Sequence, residues 1–205
     1  MRRLAIIPAR GGSKRIPKKN IKNFCGNPII YYSLNAAQKS GLFDEIHVST
    51  DSQEIADVAN YLGFTVEFLR DKTLADDMTP IMPVLKWVTE KYESKNIFFD
   101  EVVLIMACAP LLDHSDLKGA SELMQKHNSS KPILAVASYP VPVEWAYHKD
   151  KRGTLTPVNP GMFKIRSQDM KKKYFDAGVF AFYPRDLVLS SEGAGDDTSY
   201  VGYEI

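Results

Sequence analysis

The stretch "IIPARGGSKRIPKKN", Ile6 to Asn20, leads into a run of cations. Arg10, Lys14, Arg15, Lys18, Lys19 and Lys22 follow one another with no acidic residue among them and with two adjacent glycines. That combination can bind phosphate. Gly11 and Gly12 let main-chain N–H groups approach an anion without Cβ obstruction. Arg10 can grip two oxygens as a planar fork, while Lys14 and Lys19 act as mobile point charges. An isolated basic run is more often a solvated loop, but the glycine pair and the apolar run just before it favour a ligand-binding loop. Two familiar phosphate loops are absent. No G-x-x-x-x-G-K-[ST] occurs, nor does G-x-G-x-x-G, and Pro17 would spoil the helix such a fingerprint needs. A kinase-type ATPase or an NAD enzyme is therefore disfavoured.

The whole chain of 205 residues carries a net charge of only +1. It has no bulk attraction to nucleic acid or to an anionic membrane, so the local cations point to a small anionic ligand. The two cysteines, Cys25 and Cys108, show neither metal-type spacing nor a disulfide framework. A reducing cytoplasm is the expected compartment. The opening apolar run is too short for a signal-peptide core, and no stretch could span a bilayer.

The elements that must position this loop alternate. Arg3 to Pro8 reads as a buried strand ending at proline and glycine. Pro28 to Ser40 reads as a helix with Gly41 at its C-cap. Strands are expected at Glu45 to Thr50, Phe64 to Leu69, Glu101 to Ala107 and Pro132 to Ser138. Helices are expected after Asp51-Ser52, through Ile55, Ala56, Ala59 and Leu62; after Thr79-Pro80, with Val84, Leu85 and Val88 inward; and after Ser115, through Leu117, Ala120 and Met124. A strand–helix period of roughly 30 residues predicts an α/β fold with a mainly parallel sheet covered on both faces. Ligands of such sheets sit at the carboxyl ends of the strands, where Arg10 to Lys22, Arg70 to Thr79 and Cys108 to Ser115 should meet. From Tyr139 to Tyr174 the rhythm breaks into a proline-, aromatic- and lysine-rich stretch with a hairpin-like "KDKRGT", expected to be an inserted arm. "YFDAGVFAFY" resumes as a strand, "PRDLVLS" as a short helix and "SYVGYEI" as a strand.

The motifs, taken in order, resemble those of the cytidylyltransferases that activate nonulosonic acids, the CMP-sialic acid synthetase family. They are "IIPARGGSKRIPKKNIK", "VSTDS" (48–52), "RDKTLADD" (70–77), "ACAP" (107–110) and "RSQD…YFDAGVF" (166–180). "ADD" before a threonine, "ACAPL" and "YFDAG" are most similar to the pseudaminic acid branch. The resemblance implies a nucleotide-diphospho-sugar transferase-like, Rossmann-like fold over residues 1–205, with 139–174 as a dimerisation arm and a homodimer as the assembly. It implies transfer of CMP from CTP to a nonulosonic acid, with Mg²⁺. Arg10, Lys14 and Lys19 would hold the triphosphate with Gly11, Gly12 and Ser13, Asn20 would contact the nucleotide, and Arg70 would sit beside the cytidine. Arg166 and Gln168 would reach the sugar acid, with Met106, Ala107 and Asp176 also on that side.

The departures are specific. Asp71 stands where the motif reads Arg-Pro, Met106 where sialic acid enzymes carry Gln, and Leu112 where a polar residue usually follows the Pro-Leu. No Asp-x-Asp metal motif is found, and the expectation is that it lies beyond Ile205.

Other chemistry-bearing residues have plainer readings. Asp51 is more simply an N-cap than a base. Asp76 and Asp77 are either solvated loop charges or ribose neighbours, with Asp77 counted among the nucleotide-binding candidates. Asp176 fits a turn as well as a site, and Asp196 and Asp197 fit a surface loop. His47, His114, His127 and His148 form no metal-spaced pair. Ser13 and Ser49 lack a nucleophile elbow. Trp87 reads as core, and Trp145 as packing in the arm. The rival to an enzyme is a noncatalytic nucleotide-binding module.

Overall fold

Strand β1 (Arg3–Pro8) organises the molecule because both of its faces are apolar. Leu4 and Ile6 face one layer of helices, Ala5 and Ile7 the other, and all four are fully buried. The structure is a computed structural model and describes residues 1–196 and 199–205. Asp197 lies outside the described residues.

A small ribbon, β2 (Asn23–Phe24) and β3 (Asn27–Pro28), closes the basic loop and precedes helix α1 (Ile30–Ser40). Pro28 pairs with Asn23 in this ribbon, so the helix starts two residues later than expected. Gly41 ends α1 at φ +65°, a left-handed cap that costs glycine little. β4 (Glu45–Ser49) and α2 (Gln53–Tyr61) follow, then α3 (Ile81–Glu93), β5 (Glu101–Ile105), α4 (His114–Lys126) and β6 (Ile133–Ser138). The arm contains the hairpin β7 (Tyr147–Lys149) and β8 (Leu155–Pro157). β9 (Tyr174–Pro184), α5 (Arg185–Ser190) and β10 (Val201–Glu204) complete the chain.

The central sheet has the order β10-β6-β9-β5-β1-β4. Every neighbouring pair is parallel except those made by β9, which is antiparallel to both β5 and β6. One apolar cluster joins Ile30 and Leu34 of α1, Ile55 of α2 and Leu117 of α4 to one face of the sheet. The other joins Met82, Leu85 and Val88 of α3 and Val188 of α5 to the opposite face. The chain leaves β1 toward β4 on one side and returns to β5 on the other. The carboxyl end of β1 is thus the point where strand order reverses, the usual ligand crevice of an open α/β sheet.

Three local expectations are corrected. Phe64 to Leu69 forms no strand and joins no sheet. Phe64 N–H goes to Ala59 O (2.9 Å) and Val66 N–H to the Asn60 side chain (3.1 Å), and the following residue, Arg70, donates to Thr50 O (2.7 Å), local bonds in place of a ladder. Phe68 meanwhile covers His47 and Tyr92. The cap of α4 is Asp113, not Ser115: its carboxylate accepts from Ser115 N–H, and Asp116 returns the bond to close a capping box. Asp51 caps nothing; Ser52 is the N-cap residue of α2, without a side-chain bond.

At the amino end of the sheet, remote from the crevice, Arg3 Nε pairs with Glu101 Oε2 at 2.5 Å, both side chains nearly inaccessible. Ser129 donates to the other Glu101 oxygen at 2.7 Å. Removing one partner strands the other in a dry site. Glu101→Ala should therefore cost about 3–5 kcal/mol in urea unfolding. The joint Arg3→Met, Glu101→Leu variant should recover much of that loss. A single-variant loss below about 1 kcal/mol would show that water reaches the pair.

Candidate active site

After Pro8 the chain crosses the end of β4. Ala9 N–H donates to Ser49 O at 2.8 Å, and Gly11 N–H donates to the Asp51 carboxylate at 2.9 Å. A Cβ on Gly11 would lie 2.9 Å from Ser52 Cβ, closer than real side chains come, whereas one on Gly12 would meet nothing within 4 Å. The two glycines therefore have different jobs. Gly11 lets the loop lie on the α2 entrance, and Gly12 leaves the outer surface of the loop open. The Asp51 carboxylate serves this packing and is not an N-cap.

The basic loop then folds back. Lys19–Ile21 forms a short 3₁₀ turn that buries Asn20. Asn20 Nδ2 donates to Arg10 O at 2.9 Å, and its Oδ1 accepts from the Cys108 thiol at 3.2 Å. Asn20 thus ties the loop after β1 to the loop after β5. Burial pushes the Cys108 thiol up, so it stays protonated and is a poor nucleophile.

Arg70 anchors the third wall. Its Nε donates to Ser49 Oγ at 3.0 Å, its Nη2 to Ser49 O, and its Nη1 to Leu74 O at 3.4 Å. Burial lowers its pKa to about 10, leaving it charged at neutral pH. Beside it, Asp71 accepts from Thr73 N–H (2.9 Å) and Thr73 Oγ1 (2.8 Å), capping the 3₁₀ turn Lys72–Leu74. This aspartate makes by hydrogen bonding the turn that a proline would make by ring closure.

Asp76 folds the next turn by accepting from Met78 N–H, Thr79 N–H and Thr79 Oγ1 at 2.6–2.9 Å. Asp77 points at the basic loop. Its Oδ1 is 2.6 Å from Arg10 Nη2 and its Oδ2 pairs with Lys14 Nζ; Lys14, then Arg10, hold this carboxyl below its usual range. Arg10 Nη1 donates to Asp76 O at 2.5 Å.

These walls enclose a cavity of about 760 Å³. It brings together Arg10, Ser13, Lys14, Lys19, Asn20, Arg70, Asp77, Met106 and Ala107 from the sequence candidates. Gly11 and Gly12 sit in its loop without lining it. A second cavity of about 800 Å³ adjoins it; Ile81 and Met106 line both. Asp176 lines the second cavity, where β9 bulges: the β6–β9 register shifts after Leu134, and Asp176 Oδ1 accepts from Gly178 N–H at 2.7 Å. Its remaining walls are mostly apolar, apart from Asp196 and the Tyr183 and Tyr200 hydroxyls, which lie 3.5 Å apart. Arg166 and Gln168 line neither cavity. Both are exposed on the arm, and Arg166 pairs with Asp169 at 2.8 Å.

Sequence reasoning missed Arg15, Ile16, Thr79 and Cys108 in the first cavity and Leu134, Tyr183 and Tyr200 in the second, where Asp196, expected only on a surface loop, is also found. Thr79 and Cys108 lie inside loops that strand counting had already put at the crevice. Tyr183 and Tyr200 sit at strand ends and carry no local signal. The histidines keep plain roles. Burial lowers His47 to about 3, so it is a neutral packing group touching the Tyr92 hydroxyl, and His114 opens α4 beside Asp113. Among the described residues no group of three or more His, Cys, Asp or Glu side chains could hold a metal ion. None of the described helices is long and apolar enough to cross a membrane.

A cationic, glycine-bearing loop at the reversal point of a mainly parallel sheet, facing a strand-end wall, is the arrangement of a nucleotide-handling α/β transferase. The Cytidylyltransferase family profile matches residues 4–190, and the chain belongs to this family of nucleotidyltransferases. It is 42% identical over 182 residues to the pseudaminic acid cytidylyltransferase of Campylobacter jejuni subsp. jejuni, covering 89% of this chain and 78% of that protein. It is 35% identical over 164 residues to the CMP-N,N'-diacetyllegionaminic acid synthase of Legionella pneumophila, covering 80% and 69%. The solved structure of CMP:2-keto-3-deoxy-manno-octonic acid synthetase, complexed with CTP, shares the fold with a TM-score of 0.72 at 16% identity, over 100% of this chain and 90% of that one.

The two glycines separate fold from ligand. Gly11→Ala should lower both the melting temperature and CTP binding, because Ser52 must move. Gly12→Ala should leave the melting temperature alone and weaken CTP binding by several-fold, read by calorimetric titration. Equal, fold-only losses in both variants would remove the loop from phosphate binding.

Proposed function

We propose that the protein transfers CMP from CTP to a nonulosonic acid, with pseudaminic acid the preferred acceptor. The observation that carries this reading is the pair of adjoining cavities, one cationic and one mostly apolar, meeting at Met106 and Ile81. The triphosphate lies against Arg10, Lys14 and Lys19. The sugar acid fills the second cavity, with its anomeric hydroxyl toward the shared wall. That hydroxyl oxygen attacks the α-phosphorus in line and releases its proton to solvent water, the bond from the α-phosphorus to the bridging oxygen breaks, and pyrophosphate leaves with its charge met by the loop cations. Such catalysis rests on positioning and charge neutralisation.

Identity to the Campylobacter protein supports the acceptor, and so does the chemistry of the walls. Met106, Leu134, Val179 and Phe180 form an apolar wall that suits a methyl better than a hydroxyl, while Asp176, Asp196 and the Tyr183 and Tyr200 hydroxyls are the cavity's polar groups. Each hydroxyl left unpaired there costs about 1–3 kcal/mol. Pseudaminic acid presents a terminal methyl and a second acylamino group instead. Legionaminic acid shares the methyl and is the nearest competitor.

Mg²⁺ is proposed to arrive with the nucleotide, where it would neutralise phosphate charge. The described residues form no cage of their own for it, and no step above depends on it; chelator titration of turnover checks the requirement. A homodimer is proposed on the arm. Val141, Leu155 and Phe163 are exposed there among lysines, and Arg166 and Gln168 are free of both cavities in their own chain. Sedimentation at micromolar concentration checks it. A cytoplasmic location fits the two free cysteines.

CTP-dependent pyrophosphate release with pseudaminic acid should exceed that with N-acetylneuraminic acid by at least tenfold, about 1.4 kcal/mol in transition-state binding. Met106→Gln should narrow the difference. Equal rates with the two acids would refute the acceptor while leaving the nucleotide chemistry standing, and no release with any nonulosonic acid would refute the transfer itself.

A further inference from the structure

The cations assigned to the triphosphate are already engaged by an anion of the chain itself. The Asp77 carboxylate bridges Arg10 and Lys14, one oxygen to each, as two oxygens of a phosphate would. The second Arg10 amino group is taken by Asp76 O. Nothing about this contact is accidental to the loop's build. Asp76 fixes the turn from 76 to 79 with three accepted hydrogen bonds, and Arg70 and Asp71 fix the segment's start. The loop is thus rigid on either side of one carboxylate, and that carboxylate reaches into the cavity.

We propose that Asp77 is an internal competitor for the phosphate grip. Its carboxylate holds Arg10 and Lys14 while the cleft is empty, gives way to the triphosphate, and returns to displace the pyrophosphate product. This rests on the reading that Arg10 and Lys14 bind the phosphates. Asp77 is one-third exposed, and Lys14 is mostly exposed. Ion pairs of that exposure are weak, so the competitor lowers affinity without blocking entry. Its use lies in release. A multiply charged product gripped by converging cations leaves slowly, and release commonly limits such enzymes. An anion poised at the rim lets the contacts be exchanged one at a time and spares the emptied site two unpaired, mutually repelling cations. The observed affinity for any phosphate ligand is then the intrinsic one reduced by the fraction of molecules whose grip is free.

The test is calorimetric titration of inorganic pyrophosphate and of CTP into four proteins: wild type, Asp77→Asn, Arg10→Ala/Lys14→Ala, and the triple variant. Asp77→Asn should bind both ligands about three- to tenfold more tightly and show stronger product inhibition by pyrophosphate in turnover. The gain should vanish in the Arg10→Ala/Lys14→Ala background, where nothing is left to compete for. Unchanged or weaker binding by Asp77→Asn would overturn the proposal, as would a gain that persists in that background, which would be a general charge effect. If Arg10→Ala/Lys14→Ala itself binds pyrophosphate as wild type does, the phosphate-grip reading fails rather than the competitor alone.

Discussion

The site depends on one close approach. The chain leaving β1 must cross the entrance of α2 with no room for a side chain at Gly11, and its N–H is caught there by the Asp51 carboxylate. That contact fixes where Arg10 points, and Arg10 in turn fixes the basic loop against the segment from 70 to 80. Asp51 is available for this because the end of β4 is held next to the end of β1 by five paired residues. The register of a buried parallel ladder is thereby passed directly to a surface loop.

The same logic builds the other walls with modest means. Asn20, buried, is a two-sided bracket between the Arg10 carbonyl and Cys108. Arg70, also buried, satisfies its guanidinium on Ser49 and Leu74 and so joins the β4 end to the loop that carries Asp77. Each is a polar side chain removed from water and compensated by hydrogen bonds, an arrangement that tolerates few alternative geometries. The second cavity is set by a different device. The bulge at Asp176 lets an antiparallel strand pair with two parallel ones and still open a pocket beside Met106.

Much of this was legible in the sequence where one residue type dictates one conformation. β1, α3 and the short helix after Pro184 follow from apolar runs and prolines, and Gly41 marks the end of α1. The meeting of the loops after β1 and β5 followed from the alternation; Arg70 to Thr79 joins them through the bonds of Arg70 to Ser49 and Thr50, not as the end of a sheet strand. What was not legible depends on partners distant in sequence. Phe64 to Leu69 has the composition of a strand but finds hydrogen bonds in Ala59 and Asn60. Ser115 and Asp113 are both good caps, and the choice between them rests on Asp116 closing the box. Asp77 read equally as a solvated charge or a ribose neighbour, because its pairing with Arg10 and Lys14 spans more than sixty residues of chain. Tyr183 and Tyr200 meet only because β9 and β10 flank β6.

Everything in the proposed chemistry turns on the loop after β1 being the triphosphate site. The most direct measurement is a crystal structure of the protein with CTP bound. The β- and γ-phosphate oxygens should lie within hydrogen-bonding distance of Arg10 and Lys14, about 2.7–3.2 Å, with the Asp77 carboxylate moved off both. CTP seated elsewhere, or seated in the cleft with the Arg10–Asp77 and Lys14–Asp77 pairs intact, would contradict that assignment.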